Sequence, residues 1–186
     1  MKKYKIVFKG KTKKGDDIII RDLKITDAKA MCEYINKLSS ERSFIRRQGE
    51  IMTLKEETKY VKSQLQKIKQ KKAVLLLVFC NKKLIGNSQI NMKSLTSAHI
   101  GDFGISINKE YRSIGVGRLL MDSVIKEAKN RVPVLKTITF TLFASNAIAF
   151  KMYKSFGFKE YGRLPRGLKL KDKYIDEISM YKQIRK

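Results

Sequence analysis

The strongest constraint on the fold is a change of hydrophobic period in the middle of the chain. Upstream, apolar residues recur at helical spacing. From Ala73 onward they fall into strand-length blocks: a continuous apolar run from Ala73 to Cys80, a turn at Asn81 to Lys83, then Leu84 to Met92 and Ala98 to Ile107. In the third block Phe103, Ile105 and Ile107 alternate with Asp102, Gly104 and Ser106, which gives one apolar face and one face of polar or small groups. A helical segment from about Gly115 to Asn130 and a further strand from Thr137 to Phe143 follow, making a strand, helix, strand unit.

The flanks complete the pattern. Tyr4 to Lys9 and Asp17 to Arg21 read as a hairpin around a turn near Gly15. Thr26 is positioned to cap a helix carrying Ala28, Met31, Cys32, Ile35 and Leu38. Ser39 to Met52 shows no clear period, and Thr53 with Glu56 forms a capping-box pattern opening a helix with Val61, Leu65 and Ile68 on one side. Towards the end a helix is expected from Asn146 to about Ser155, with strands at Gly157 to Arg163 and Lys173 to Lys182. The order predicts an α/β (α+β) fold: a mixed, mostly antiparallel sheet with helices on both faces. With two prolines and no Gly/Ser-rich linker or repeat, residues 1–186 are expected to form a single domain whose first 16 residues are a basic extension.

Composition narrows the function classes. The formal net charge is +25, which raises a basic nucleic-acid-binding or regulatory module as the alternative to an enzyme. The densest lysine clusters are Lys2, Lys3, Lys5, Lys9, Lys11, Lys13 and Lys14, then Lys67, Lys69, Lys71 and Lys72, and no aromatics alternate with them to form a stacking platform. We therefore expect a solvated basic surface that attracts anionic ligands rather than specific nucleic-acid binding. Cys32 and Cys80 read as buried free thiols, and one histidine leaves no plausible zinc set, so no metal is expected. No apolar run reaches the ~18 residues of a membrane span and the N-terminus has no apolar signal core, so no membrane partner and a cytoplasmic location are expected.

Two segments carry chemistry. Asn108 to Leu120 joins a strand to a helix through Arg112, Ser113, Ile114, Gly115, Val116, Gly117 and Arg118. Gly115 and Gly117 lack the Cβ that would hold a ligand away, so backbone N–H groups can face an anion where the helix N-terminus is partially positive, and Arg112 and Arg118 bracket that nest. A pyrophosphate suits it. No Lys-Ser/Thr follows Gly117, and Leu120 stands where a dinucleotide fingerprint needs a third small residue, which excludes the P-loop and Rossmann motifs. The second segment runs from Ala144 to Phe158 and contains Asn146, Ala149, Tyr153 and Gly157-Phe158.

In order and spacing these two segments, together with Asp172 to Met180, resemble the GCN5-related N-acetyltransferase (GNAT) family, and the resemblance covers about Ile20 to Tyr181. It implies the acyl-CoA N-acyltransferase fold and acetyl-CoA as cosubstrate. It implies that two neighbouring strands splay apart, freeing the backbone of Ile105 and Ile107 for pantetheine, that Asn146 contacts the pantetheine arm, and that Tyr153 lies near the thioester sulfur. A tyrosine of ordinary pKa, about 10, is protonated at neutral pH and can donate to a departing thiolate; a hydroxyl-anchored core aromatic is the other reading.

The acceptor amine must lose a proton before it attacks. Asp102 is the preferred base, with Gly104 and Ser106 leaving room on its face; His99 lies on the opposite strand face, and a water chain can replace either. Glu41 and Glu50, in the irregular region, are candidates for amine recognition. A protein N-terminal α-amine is the first expectation for the acceptor because its pKa, about 8, makes it easy to deprotonate. Lysine amines and small amines, including antibiotics and amino acids, stay open, and the positive surface disfavours polyamines. The fold class is compatible with a homodimer.

Overall fold

The computed structural model describes residues 4–12 and 15–185; Lys2, Lys3, Lys13 and Lys14 of the N-terminal cluster lie outside them. Among the described residues eight strands form one sheet: β1 (Ile6–Lys11), β2 (Asp17–Asp22), β3 (Ala73–Cys80), β4 (Lys83–Met92), β5 (Ile100–Ile107), β6 (Thr137–Phe143), β7 (Lys159–Leu170) and β8 (Lys173–Gln183). They lie in the order β1-β2-β3-β4-β5-β6-β8-β7. Every neighbouring pair is antiparallel except β5 and β6, which are parallel and joined by a helical crossover.

β3 is apolar throughout because both its faces are covered. Val74, Leu76 and Val78 pack with Leu120, Met121 and Val124 of α3 (Val116–Arg131), while Leu75 and Leu77 pack with Met31 and Leu38 of α1 (Ala28–Ser40) and Val61 of α2 (Leu54–Lys69). A short fourth helix, α4 (Ala147–Ser155), follows β6. Helices therefore sit on both faces, as the sequence predicts.

Several boundaries differ from expectation, β1 among them, which runs two residues later than read. Thr26 does not cap α1: Ile25–Asp27 is a 3-10 turn, and Asp27 precedes the helix with its carboxylate held by both Arg21 Nη atoms (2.8 and 2.7 Å) and by the Lys24 N–H (2.7 Å). A buried carboxylate needs those partners, and the helix start moves by one residue, to Ala28. β5 begins at Ile100, not Ala98, after a 3-10 turn at Leu95–Ser97. β7 runs through Pro165 to Leu170, with irregular register between Leu164 and Leu168. It is one of the sheet's two edge strands, and Pro165 falls in the irregular stretch that has no ladder partner on β8. The Thr53 and Glu56 capping box forms as read, with Thr53 Oγ1 accepting from Glu56 N–H and Glu56 accepting from Thr53 N–H at 2.8 Å.

Candidate active site

The parallel pair at the centre of the sheet is incomplete. β5 and β6 are in register only at Ile100–Thr137, Gly101–Ile138 and Asp102–Thr139, and beyond Asp102 the strands part. On its other side β5 stays paired with β4 as far as Ile107. There Asn108 N–H bonds the Ile85 carbonyl (2.8 Å) and Lys93 N–H bonds the Ile100 carbonyl (2.9 Å), so the even-numbered residues of β5 are bonded to β4. By the alternation of an antiparallel ladder, Phe103, Ile105 and Ile107 turn their N–H and C=O groups towards the opening. One of these is already used: the Ile107 carbonyl accepts from Arg112 Nε at 2.8 Å. The expectation of a free backbone therefore has to be corrected at the Ile107 carbonyl.

The opening is a cleft of about 710 Å³ between β5, β6, α4 and the start of α3. Asp102, Ile105, Ile107, Arg112, Ser113 and Gly117 line one side, and Asn146 and Tyr153 line the other. The turn into α3 is strained where an anion-binding nest needs it: Ser113 has φ +62° and Gly115, at the N-cap, φ +89°. The first helical bond at the turn is Leu119 N–H to the Gly115 carbonyl (3.1 Å), so the N–H groups of Val116, Gly117 and Arg118 have no partner within the helix. The Val116 side chain is core, so only its backbone faces the turn. Ile114 also packs partly against the core.

The two arginines of this turn differ from the sequence picture of free flanking cations. Besides Ile107, Arg112 binds Glu41 through Nη2. Arg118 donates to Ser155 Oγ (2.9 Å) and lies over the Phe156 ring (5.0 Å). Both brace the turn against neighbouring elements, and Arg118 keeps Nε and Nη2 without a partner among the described residues.

Glu41 is thereby removed from the amine-recognition and base candidates: its carboxylate holds Arg112 and the Lys109 N–H (3.1 Å) behind the turn and does not line the cleft. Glu50 is likewise outside it, exposed, and its own and the Gln48 backbone N–H groups hold its carboxyl below the usual range. His99 precedes β5, is exposed, and its carbonyl accepts from Lys136 and Thr137 N–H groups. Asp102 does line the cleft; its side chain is exposed, and partial desolvation by the cleft wall raises its carboxyl above the usual range although Lys93 and Arg46 oppose the shift.

Asn146 caps α4: its Oδ1 accepts from Ala149 N–H (3.2 Å), leaving the amide NH₂ for the cleft it lines. Tyr153, 7% exposed, packs against Phe140 (centroids 4.4 Å apart), Phe103 and Phe158. Its hydroxyl has no hydrogen-bond partner among the described residues, and burial pushes its pKa up to about 12. A tyrosine kept only for packing would be anchored by its hydroxyl.

Sequence reasoning missed a second, smaller chamber of about 290 Å³ between α1, α2, the loop after α1 and the polar face of β4 and β5. It meets the main cleft at Ile45, Arg46, Asn87, Gln89 and Ser106. Tyr34 hydrogen-bonds Ser106 (2.8 Å) and Tyr60 donates to Gln89 Oε1 (2.5 Å), so both helices are pinned to this stripe. Glu57 and Arg47 also line the chamber. The signal for Glu57 was present: it lies four residues before Val61, on the same helical face. Among the described residues no group of His, Cys, Asp and Glu could hold a metal, and no helix is long and apolar enough to cross a membrane. Both thiols are free; Cys80 is buried, whereas Cys32 is only half-buried and donates to the Met52 carbonyl (3.2 Å).

A mixed sheet split at its one parallel pair, with a helix N-terminus at the mouth of the split, defines the acyl-CoA N-acyltransferase class of fold. Residues 39–158 match the Acetyltransferase (GNAT) family, and the chain belongs to that family. Among curated relatives it is 32% identical over 83 residues to the L-amino acid N-acetyltransferase AaaT of Escherichia coli, an alignment covering 45% of this chain and 51% of that protein. It is 29% identical over 85 residues to the ribosomal protein bS18-alanine N-acetyltransferase of Salmonella typhimurium, covering 44% and 56%. The chain thus spans about half the length of the curated relatives it matches. A solved acetyltransferase of the GNAT family from Streptococcus pneumoniae superposes with a TM-score of 0.82 at 29% identity, covering 90% of this chain and 99% of that one. Salmonella typhimurium yncA, solved with its cofactor acetyl-CoA, has the same fold (TM-score 0.78, 16% identity, covering 91% and 95%).

Proposed function

We propose that this chain is an N-acetyltransferase that moves the acetyl group of acetyl-CoA to a primary amine by direct attack. The observation that carries the reading is the split between β5 and β6, which leaves the Ile105 backbone and the Tyr153 hydroxyl facing one cleft with the N-terminus of α3 at its mouth. Each part matches a part of the acyl donor. The N–H groups of Val116, Gly117 and Arg118, with the positive φ of Gly115 aiming them, suit the diphosphate. The Ile105 backbone is a strand edge spaced to hold the amides of pantetheine, and the Asn146 NH₂ donates from the opposite wall.

In the reaction the amine nitrogen, having given up its ammonium proton, attacks the acetyl carbon to form a tetrahedral intermediate; as this collapses the nitrogen releases its second proton to water, the C–S bond breaks and sulfur takes the electron pair. Asp102 is assigned to remove the proton, directly or through water, and Tyr153 to protonate the sulfur. Neither cysteine lines the cleft, in keeping with transfer without an acetyl-enzyme.

Calorimetric titration with acetyl-CoA, followed by mass spectrometry of amines and peptides incubated with both, tests the reading: binding and a gain of one acetyl group are expected, and the absence of acetyl-CoA binding ends it. The same titration with duplex DNA and RNA tests the basic-module alternative, for which steeply salt-dependent binding without acetyl-CoA binding is the signature.

Asp102 gives a pH prediction. A base works only when ionised, so the rate falls as pH drops through its raised pKa, and the acidic limb of kcat/KM is expected above the ordinary carboxylate range. Asp102→Asn is expected to lower the rate and flatten that limb; an unaltered limb in the variant removes Asp102 as the base.

A further inference from the structure

The side chamber holds two charges of opposite sign that the fold does not use. Glu57 is 3% exposed, yet its carboxylate has no hydrogen-bond or ion-pair partner among the described residues. Arg47, half-buried on the loop after α1, also has none. Both line the same chamber, and Arg47 is near enough for its charge to act on Glu57. Arg46 also lines the chamber but is already paired: it donates to Thr141 Oγ1 (2.9 Å) and Glu177 Oε1 (2.8 Å) across the cleft.

Leaving a buried carboxylate without a partner is costly, and a fold that wanted only stability would place an apolar side chain there. A ligand carrying both charges would satisfy both groups at once. Against the polar wall of Asn87, Gln89 and Ser106, the helices and the loop give the chamber an apolar side of Met31, Ile35, Leu38, Ile45 and Met52. At about 290 Å³ it is at the small end of ligand pockets, which run to roughly 300–1,000 Å³.

We infer that the chamber is the acceptor subsite and that the acceptor is a free α-amino acid with an apolar side chain, its carboxylate on Arg47 and its amine oriented by Glu57 at the junction with the main cleft. The inference rests on the acetyl-transfer reading and narrows it. It departs from the protein N-terminus expected from amine pKa alone, because a peptide presents an uncharged amide where Arg47 needs an anion. Glu57 and Arg47 are here recognition residues; the proton is left to Asp102.

The full chain, titrated calorimetrically with L-leucine, L-methionine and leucinamide, with and without CoA, tests this. The free acids are expected to bind at least tenfold more tightly than leucinamide. Arg47→Gln is expected to bring leucine down to the level of its amide with acetyl-CoA affinity intact, and Glu57→Gln to weaken both at least tenfold. Leucinamide binding as tightly as leucine, survival of the acid's advantage in Arg47→Gln, or no binding of either amino acid would overturn it. Failure of the acetyl-transfer reading is seen separately, as loss of acetyl-CoA binding in the unaltered protein.

A stability measurement separates recognition from a structural role. Burial raises the Glu57 pKa above its unfolded value, so the native state loses stability relative to a neutral residue as pH rises through the folded pKa. Glu57→Gln is therefore expected to raise Tm at pH 7.5, and the gain to vanish as pH falls below the unfolded value of about 4.3. A lower Tm in the variant at pH 7.5 would make Glu57 a structural residue and overturn the assignment.

Discussion

Tyr153→Phe is expected to lower kcat by about a hundredfold or more while leaving acetyl-CoA affinity and Tm nearly unchanged, since general acid catalysis contributes typically 10²–10⁴-fold. The substitution removes one oxygen and keeps the ring that packs on Phe140, Phe103 and Phe158. A structural tyrosine would lose a hydrogen bond in that change, but this hydroxyl has no partner among the described residues to lose, so its removal leaves no stranded buried group. Burial pushes its pKa up to about 12, which keeps it protonated across the working range. The same burial bears on the acceptor of the proton: desolvation raises the proton affinity of a thiolate expelled into the cleft, so donor and leaving group move in the same direction. The readout is the split between kcat and KM, measured from pH 6 to 10. Full kcat across that range would remove Tyr153 as the acid and leave it a core aromatic.

How much of this was legible in the sequence depends on the range of the interaction. The Thr53 capping box and the period-2 alternation of β5 and β6 are local patterns, and they form where they were read. Thr26 failed as a cap because Arg21, on a strand, and the Lys24 N–H draw the Asp27 carboxylate, a contact set by tertiary packing. β7 continues past Arg163, where the sequence places its end, because a sheet edge tolerates Pro165, and edge position is not local information.

The site divides in the same way. The glycines and Asn146 announced themselves by type and spacing. The braces did not: Glu41 and Arg112 are distant in sequence, and only the fold shows that the carboxylate expected to meet an amine instead holds the turn. Glu57 was hidden for the opposite reason. It sits on the buried stripe of an amphipathic helix, and a carboxylate there passes as part of the polar face unless the stripe is followed back one turn from Val61.

Gly117→Val is the decisive test of the cofactor cradle, with acetyl-CoA affinity expected to fall at least a hundredfold, about 2.7 kcal/mol. The two glycines of the turn serve different needs. Gly115 has φ +89°, so any side chain there strains the backbone by roughly 1–2 kcal/mol and would confound binding with a deformed turn. Gly117 is helical without a positive φ, and a Cβ added to it would meet Ile107 Cγ1 at 3.8 Å and Met152 Sδ at 4.0 Å, both ordinary contacts. The protein itself therefore has room for a Cβ at 117, and the Tm of the valine variant shows whether its γ-methyls fit as well. What the side chain would obstruct is the approach of a ligand to the N–H groups at the start of α3, since Gly117 lines the cleft. An unchanged Tm with lost affinity assigns the missing side chain to the diphosphate, and Gly117→Ala should fall between the two. A Gly117→Val protein that binds acetyl-CoA as the parent does would place the diphosphate elsewhere, and with it the orientation of the thioester against Tyr153.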